Sequence, residues 1–126
     1  MLIDTDVLIW AARGYRVAVD SLDAIEQPRL SVVTLIELMQ GARNKQEMKD
    51  LEQRLAYWGV EIVDLCPDIS TQAVALIRKH AHARGLQLAD ALIAATAIVR
   101  EVALFSGNRK HYEGIPNLQF QPFEIG

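Results

Sequence analysis

Four carboxylates and one amide stand where the chain enters or leaves an apolar run. Asp4 and Asp6 lie in MLIDTDVLIW, Glu37 in SVVTLIELMQ, Asp90 in LQLADALIAA and Asn108 in ALFSGNRKHY. Acidic side chains are depleted in strands and are rarely buried unless they are paired or bound to something. Oxygen-only ligand sets favour Mg²⁺ or Mn²⁺, and such ions assist phosphoester hydrolysis. These residues therefore suggest metal-assisted cleavage of a phosphoester.

Most of these acids also have an ordinary structural explanation. Asp6 is a good N-cap for the first helix, and Thr34 with Glu37 forms the T-x-x-E pattern of a capping box. Asp90 suits an N-cap or a first-turn position, where the helix dipole favours an acid. Asp4 ends a strand and has no capping role of its own, so it is the acid that points most directly to function.

The segment after Asp90 strengthens the case for a shared site. Residues 91–99 are almost entirely apolar, which predicts a buried helix whose N-terminal acid is partly buried too. Carboxylates that meet without an equal number of Lys or Arg side chains repel one another. Either some of them stay protonated or a hard cation lies among them.

The elements that must position these residues alternate between strands and helices. Strands that are joined by helical crossovers form a parallel sheet with helices on both faces. Ligands bind such sheets outside the carboxyl ends of the strands, so we expect Asp4, Glu37, Asp90 and Asn108 to meet at one edge. The predicted strands are 1–3, 29–33, 61–65, 102–105 and 118–120, and the predicted helices are 7–12, 17–26, 34–43, 46–58, 69–84 and 90–101.

Length and composition predict one globular domain over residues 1–126, and the alternation of strands and helices makes it an α/β domain. The net charge of −3 argues against a protein that simply coats nucleic acid, although bound cations at an acidic site would weaken that argument. No apolar run is long enough for a membrane span. The single cysteine, Cys66, cannot form an internal disulfide, which predicts a cytoplasmic protein.

Three basic residues directly follow Asn108 in the sequence. Arg109, Lys110 and His111 follow Asn108 directly, so they are candidates to contact a nucleic-acid backbone. A second basic segment, residues 78–84, is either a solvated helix end or a phosphate-contacting patch.

Four blocks of the sequence together resemble the PIN-domain family and, within it, the VapC toxins of bacterial type II toxin–antitoxin pairs. The blocks are LIDTDVLIW, SVVTLIELMQG, LQLADALIAATA and LFSGNRKHYEGIPNL, and they span essentially the whole chain. The resemblance implies one PIN-like α/β/α domain with a parallel sheet of four to five strands. It also implies a Mg²⁺- or Mn²⁺-dependent endoribonuclease that dimerises. Its VapB-like antitoxin commonly inserts a C-terminal segment across the active-site groove.

The resemblance also assigns roles to individual residues. The residues that match the family's catalytic, metal-binding carboxylates are Asp4, Glu37 and Asp90. On this basis we expect Asp4 and Asp90 to hold the main ion and Glu37 to be a ligand or to position the attacking water as general base. Supporting roles are expected for Asp6, Ser106 and Asn108.

The chain departs from the family pattern in two places. Many PIN domains carry a fourth acid in the last block, where this chain offers Asn108 and His111 and no Asp. Asp6 occupies a position where the family often has Asn or Ser, and it could supply the missing charge. The number of metal ions, one or two, is left open by these departures.

Two other functions stay open at this point. A domain weakened by the missing acid could act as a binding or regulatory module without turnover. A phosphatase of the haloacid dehalogenase type would use Asp4 as a nucleophile in its D-x-D motif. That motif usually continues with Gly-Thr, whereas Val7 and Leu8 follow here, and the chain is short for the remaining motifs.

Overall fold

A computed structural model describes residues 1–124 of the protein. Within this range the chain forms strands and helices in alternation, as predicted. The strands are β1 (Leu2–Ile3), β2 (Arg29–Ser31), β3 (Glu61–Val63), β4 (Leu104–Ser106) and β5 (Phe120–Pro122). The helices are α1 (Thr5–Ala12), α2 (Arg16–Ala24), α3 (Val32–Gly41), α4 (Lys45–Tyr57), α5 (Pro67–Arg84), α6 (Leu88–Arg100) and α7 (Arg109–Tyr112).

The strands form one parallel sheet in the order β3-β2-β1-β4-β5, which confirms the predicted architecture. β1 is the central strand, and Leu2 pairs with Arg29 on one side and with Leu104 on the other. The chain runs outward through β2 and β3 and then returns to the other side of β1 as β4. The strand order therefore reverses between β1 and β4, which is where ligand sites form in sheets of this kind.

Helices cover both faces of the sheet because neighbouring strand residues point to opposite sides. Leu2 and Leu104 pack with apolar residues of α5, α6 and α7, whereas Ile3 and Phe105 pack with those of α1, α2 and α4. α3 touches both layers, through Val33 on one side and residues 35 and 38 on the other. The carboxyl edge of β1 and β4 thus lies between two packed helical layers.

α6 is the most deeply buried helix, as its alanine-rich sequence predicts. Ala91, Ala94, Ala95 and Ala97 are at most 1% exposed. Their small side chains let α5 and α3 approach α6 closely, which anchors the residues of its first turn. No helix within residues 1–124 is long and apolar enough to cross a membrane.

Four helices begin two residues before their predicted starts, namely α1, α3, α5 and α6, and in α1 and α3 the correction changes the role of an acid. α1 begins at Thr5 with Asp4 as its N-cap, so Asp4 does have a capping role and Asp6 lies inside the first turn. α3 begins at Val32 with Ser31 as its N-cap, so the predicted capping box between Thr34 and Glu37 does not form. In both cases a polar residue at the strand end takes the cap directly, which leaves no linker between strand and helix.

The remaining differences lie at element boundaries and in one short helix. α5 begins at Pro67, because proline is well suited to the first turn of a helix. β4 and β5 lie one to two residues later than predicted, and β2 and β3 end two residues earlier. α7, a single turn after β4, was not predicted. Its four residues are too few to show a helical period in the sequence.

Candidate active site

Three carboxylates converge at the carboxyl edge of the sheet, between β1 and β4. Asp4 follows β1, Asp6 lies in the first turn of α1 and Asp90 lies in the first turn of α6. They are close enough that the charges of Asp6 and Asp90 both act on Asp4. The structure therefore brings these three predicted site residues together at the expected place.

Asp4 is the most buried of the acids, with 6% of its surface exposed. Its Oδ1 accepts the Thr5 N–H at 2.8 Å, and its Oδ2 accepts the Ser106 hydroxyl at 2.7 Å. Burial raises the pKa of Asp4 to about 7, with the charges of Asp6 and Asp90 acting in the same direction and the two hydrogen bonds opposing the rise. Asp4 is thus held in place by hydrogen bonds while its negative charge is poorly compensated.

Asp6 holds the loop that follows β4. Its Oδ1 accepts the Val7 N–H and its Oδ2 accepts the Gly107 N–H, both at 2.9 Å. A Cβ at Gly107 would stand 2.8 Å from Asp6 Oδ2 and 3.3 Å from the Phe123 carbonyl oxygen, so only glycine fits this close approach. Burial raises the pKa of Asp6, and these hydrogen bonds oppose that rise.

Glu37 reaches the site from α3 through a pair of threonines. Its Oε1 accepts the Thr5 hydroxyl at 2.7 Å, and 3.1 Å separates Thr5 Oγ1 from Thr34 Oγ1. A hydroxyl carries one proton, so the buried Thr34 hydroxyl donates to Thr5 while Thr5 donates to Glu37. Glu37 is therefore tied to the residue next to Asp4 instead of to the start of its own helix.

Asp90 is contacted from its own helix and from α7. Its Oδ2 accepts the Gln87 N–H at 3.0 Å and lies 3.4 Å from His111 Nδ1. Its Oδ1 lies 3.4 Å from the Tyr112 hydroxyl. α6 begins at Leu88 with Gln87 as its N-cap, so Asp90 has the first-turn position and not the N-cap position, the two that its sequence left open.

Asn108 and His111 interact with each other beside Asp90. Asn108 Nδ2 lies 2.8 Å from His111 Nδ1, and the Asn108 N–H donates to Ser106 Oγ at 3.0 Å. The hydrogen bonds found within residues 1–124 do not join the Asn108 amide to an acid. Its role as a supporting ligand, and that of Ser106 beyond its bond to Asp4, stay predictions.

The three basic residues after Asn108 differ in how free their side chains are. Arg109 is paired with Glu113 at 2.5 Å and with Glu124 at 2.6 Å, which ties α7 to the end of the described chain. Lys110 is exposed, and His111 is half-buried next to Asp90. Lys110 and His111 are therefore less committed to contacts within the protein than Arg109.

A groove of about 600 Å³ borders Glu37. Its walls come from α1, α3 and α4 and combine apolar side chains, such as Ile9 and Leu38, with the charged Arg13 and Arg54. Arg54 donates to the Ala12 carbonyl oxygen at 2.6 Å, which links α4 to α1. The sequence did not single out these groove residues, because they meet only when α1 and α4 pack together.

The donor set fits a hard divalent cation by its chemistry. Within residues 1–124, no three His, Cys, Asp or Glu side chains are already arranged to hold a metal ion. Asp4 and Asp6 also have no cationic side chain at ion-pair distance in that range. Buried carboxylate oxygens without a compensating charge are the ligands that Mg²⁺ and Mn²⁺ prefer. Asp4 and Asp90, with Asp6 beside them, are the residues that would hold such an ion, and Glu37 as a further ligand stays a prediction.

Sequence reasoning missed two hydroxyls of this site. Thr5 lies between Asp4 and Asp6, and this position was a usable signal. A threonine next to two candidate site acids has a hydroxyl that can reach a neighbouring side chain of the site. For Tyr112, nothing in the sequence indicates that its hydroxyl faces an acid. Only the packing of α7 shows that contact.

Comparisons with known proteins agree with this architecture. The family model of the PIN domain matches residues 1–114. No curated protein sequence matches the chain significantly. A chain in a toxin–antitoxin complex from Klebsiella pneumoniae is 33% identical, with a TM-score of 0.77 and 93% of each chain covered.

More distant solved structures share the fold. A chain of VapBC2 from Rickettsia felis, bound to a DNA fragment from its promoter, is 21% identical with a TM-score of 0.76, covering 98% of each chain. A chain of FitAcB from Neisseria gonorrhoeae is 23% identical with a TM-score of 0.75, covering 98% of this chain and 96% of that one. At these identities the likeness concerns the fold alone.

Proposed function

The chain belongs to the PIN-domain family, and from this premise we propose that it is a metal-dependent endoribonuclease that acts as the toxin of a type II toxin–antitoxin pair. The family consists of nuclease-type hydrolases. One observation carries the proposal for this chain: the buried Asp4 meets Asp6 and Asp90 at the point where the strand order reverses, and neither Asp4 nor Asp6 has a cationic partner among residues 1–124.

Each acid has a distinct place in the proposed reaction. Asp4 and Asp90 would hold Mg²⁺ or Mn²⁺, and Asp6 would be the third carboxylate near the ion. When bound, the ion would offset the negative charge that builds on the reacting phosphate. Glu37, which Thr5 holds beside the site, would orient the attacking water and accept its proton as a general base.

The substrate side of the proposal uses α7. Lys110 is exposed and His111 lies beside Asp90, so both can reach an RNA backbone that crosses the acidic edge. Arg109 would have to exchange Glu113 or Glu124 for a phosphate before it could contribute. We therefore rank Lys110 and His111 above Arg109 as RNA contacts.

The partner side of the proposal uses the groove beside Glu37. The Klebsiella pneumoniae relative was solved in a toxin–antitoxin complex, and a VapB-like antitoxin is the corresponding partner proposed here. A groove of about 600 Å³ with apolar and charged walls suits an inserted peptide segment. A homodimer in the cytoplasm, with Cys66 as a free thiol, completes the proposal.

The test uses purified, antitoxin-free protein on defined RNAs with Mg²⁺, with Mn²⁺ and with EDTA. We expect cleavage to require metal and to vanish in the Asp4→Asn and Asp90→Asn variants. Asp20→Asn is the matched control, because Asp20 is an exposed acid in a surface ion pair. Full activity in Asp4→Asn would contradict the site assignment.

The second candidate function is a binding or regulatory module with little turnover. It is favoured by the lack of a ready-made group of three metal-ligating side chains among residues 1–124. Such a protein would bind RNA or antitoxin in the same experiment and cleave no RNA at any metal concentration. Membership of the PIN family argues against the phosphatase alternative.

A further inference from the structure

Tyr112 is the largest fully buried side chain of the described protein. Its ring lies in the core layer that α5 and α6 share, with its centroid 6.4 Å from that of Phe120. A buried phenol needs a hydrogen-bond acceptor, because an unmet hydroxyl destabilises the fold. The packed ring fixes the position of the Tyr112 oxygen, so the acceptor must lie within hydrogen-bond distance of that position.

The acceptor is Asp90. The Tyr112 hydroxyl lies 3.4 Å from Asp90 Oδ1, whereas the Gln87 N–H and His111 Nδ1 face Oδ2. Within residues 1–124, Tyr112 is the one side chain or backbone group found to donate to Oδ1. The two carboxylate oxygens thus have separate donors, and rotation of the Asp90 carboxylate would break the bond to Tyr112.

The Tyr112 hydroxyl also lies near the acidic cluster that Asp4, Asp6 and Asp90 form. A tyrosine hydroxyl is protonated at neutral pH, so it acts as the donor to Asp90 Oδ1. It is a neutral group, so it orients the carboxylate without removing the negative charge that a cation requires.

We propose that Tyr112 is a positioning residue that orients the carboxylate of Asp90 and so sets the affinity of the acidic cluster for a divalent cation. Tyr112 acts through Asp90 and contacts no substrate. The inference rests on the proposed function, because it assigns a role at the same metal site. A phenylalanine would fill the same core space, so the role belongs to one oxygen atom.

The experiment compares wild type with Tyr112→Phe in antitoxin-free protein. Mn²⁺ binding is measured by isothermal titration calorimetry, unfolding is measured in EDTA, and RNA cleavage is measured across Mn²⁺ concentrations. We expect the Kd for Mn²⁺ to rise about tenfold, as is typical when a hydrogen-bond partner of a ligating group is removed. The metal concentration at half-maximal cleavage should rise with it, and the rate at saturating Mn²⁺ should recover.

Tyr57→Phe is the matched control, because Tyr57 is 80% exposed and lies outside the site. It should leave the Kd for Mn²⁺ unchanged. Tyr112→Phe should also add nothing to the loss of Mn²⁺ affinity in Asp90→Ala, because alanine leaves no carboxylate for the Tyr112 hydroxyl to orient. A further loss in the double variant would overturn the proposal.

Two other outcomes would also overturn it. In one, Tyr112→Phe binds Mn²⁺ as tightly as wild type. In the other, the variant unfolds in EDTA under conditions where wild type is folded, which would mark the hydroxyl as structural. If wild type neither binds Mn²⁺ nor cleaves RNA, the proposed function itself is overturned. If wild type binds Mn²⁺ and cleaves RNA, and Tyr112→Phe binds Mn²⁺ equally well, only the role of Tyr112 is overturned.

Discussion

At the scale of single residues, hydroxyl groups orient the acidic side chains of the site. Ser106 donates to Asp4, Thr5 donates to Glu37, and Tyr112 faces Asp90. Each hydroxyl is neutral, so each can orient a carboxylate without cancelling the negative charge. A cluster held by Lys or Arg side chains would be more stable without metal and would attract a cation less.

Thr5 gives the sharpest residue-scale prediction. Thr5→Val keeps the shape of the side chain but removes the donor to Glu37 and leaves the buried Thr34 hydroxyl without its acceptor. We expect cleavage at saturating Mn²⁺ to fall about 10- to 100-fold, because small misplacements of a catalytic group have effects of this size. Single-turnover cleavage kinetics measure it.

Thr5→Ser is the matched control, because it keeps the hydroxyl that donates to Glu37. It should retain most of the activity. Equal activity in wild type and Thr5→Val would show that Glu37 needs no support from Thr5.

At the scale of elements, the segment from the end of β4 through α7 completes the site. It brings Ser106 to Asp4, Gly107 to Asp6 and Tyr112 to Asp90. The last turn of this segment is anchored by the buried ring of Tyr112 and by the ion pairs of Arg109. One short stretch of chain thus contacts all three converging acids.

Gly107→Ala tests this segment. The new Cβ would stand 2.8 Å from Asp6 Oδ2, so the loop must move and the bond from the Gly107 N–H to Asp6 is lost. We expect the free energy of unfolding to fall by about 1–3 kcal/mol, as for other overpacked sites, and cleavage to fall with it. Urea unfolding at fixed pH measures the loss of stability.

Gly41→Ala provides the control for that measurement. A Cβ at Gly41 meets nothing within 4 Å, and the residue ends α3, where alanine is the better helix former. Its stability should be equal to or above that of wild type. A stable Gly107→Ala variant would mean that the loop moves without cost.

At the scale of the whole molecule, the site exists because the sheet reverses its strand order beside its central strand. β1 is buried on both faces, so the carboxylate that follows it is drawn into a region of low dielectric between two helical layers. The acidic edge therefore lowers the stability of the metal-free fold. This cost is expected where a fold carries a binding site.

The pH dependence of global stability should show this cost. Burial raises the pKa of Asp4 from 3.8 to about 7, so the folded state holds a proton that the unfolded state releases earlier. The proton that Asp4 keeps in the folded state therefore stabilises the fold, and this stabilisation is fully present below about pH 4 and is lost as pH rises through about 7. It amounts to at most about 4 kcal/mol, since one pKa unit corresponds to about 1.4 kcal/mol.

Urea unfolding in EDTA at pH 5 and at pH 8 measures this contribution. Wild type should be less stable at pH 8, Asp4→Asn should show a smaller difference, and Mg²⁺ should raise the stability of wild type at pH 8. The same pH dependence in Asp4→Asn would contradict the assignment to Asp4. Asp20→Asn, an exposed control, should behave as wild type.

The order of the elements and the place of the acids were predictable from the sequence alone. Apolar runs bounded by polar residues indicate buried strands and helices, and helical crossovers imply a parallel sheet. Since the carboxyl ends of parallel strands meet at one edge, the pattern of strands and helices was enough to place Asp4 and Asp90 together. Helix starts were less predictable, because Asp4 and Asp6 both suit an N-cap.

Only the tertiary structure decided which groups touch. Thr5 and Glu37 are 32 positions apart, Asp90 and Tyr112 are 22 apart, and the groove forms between α1, α3 and α4. Such contacts depend on helix packing angles and side-chain rotamers, which leave no local pattern in the chain. The sequence therefore determined the carboxylates and their edge of the sheet, and packing decided how hydroxyls from distant segments orient them.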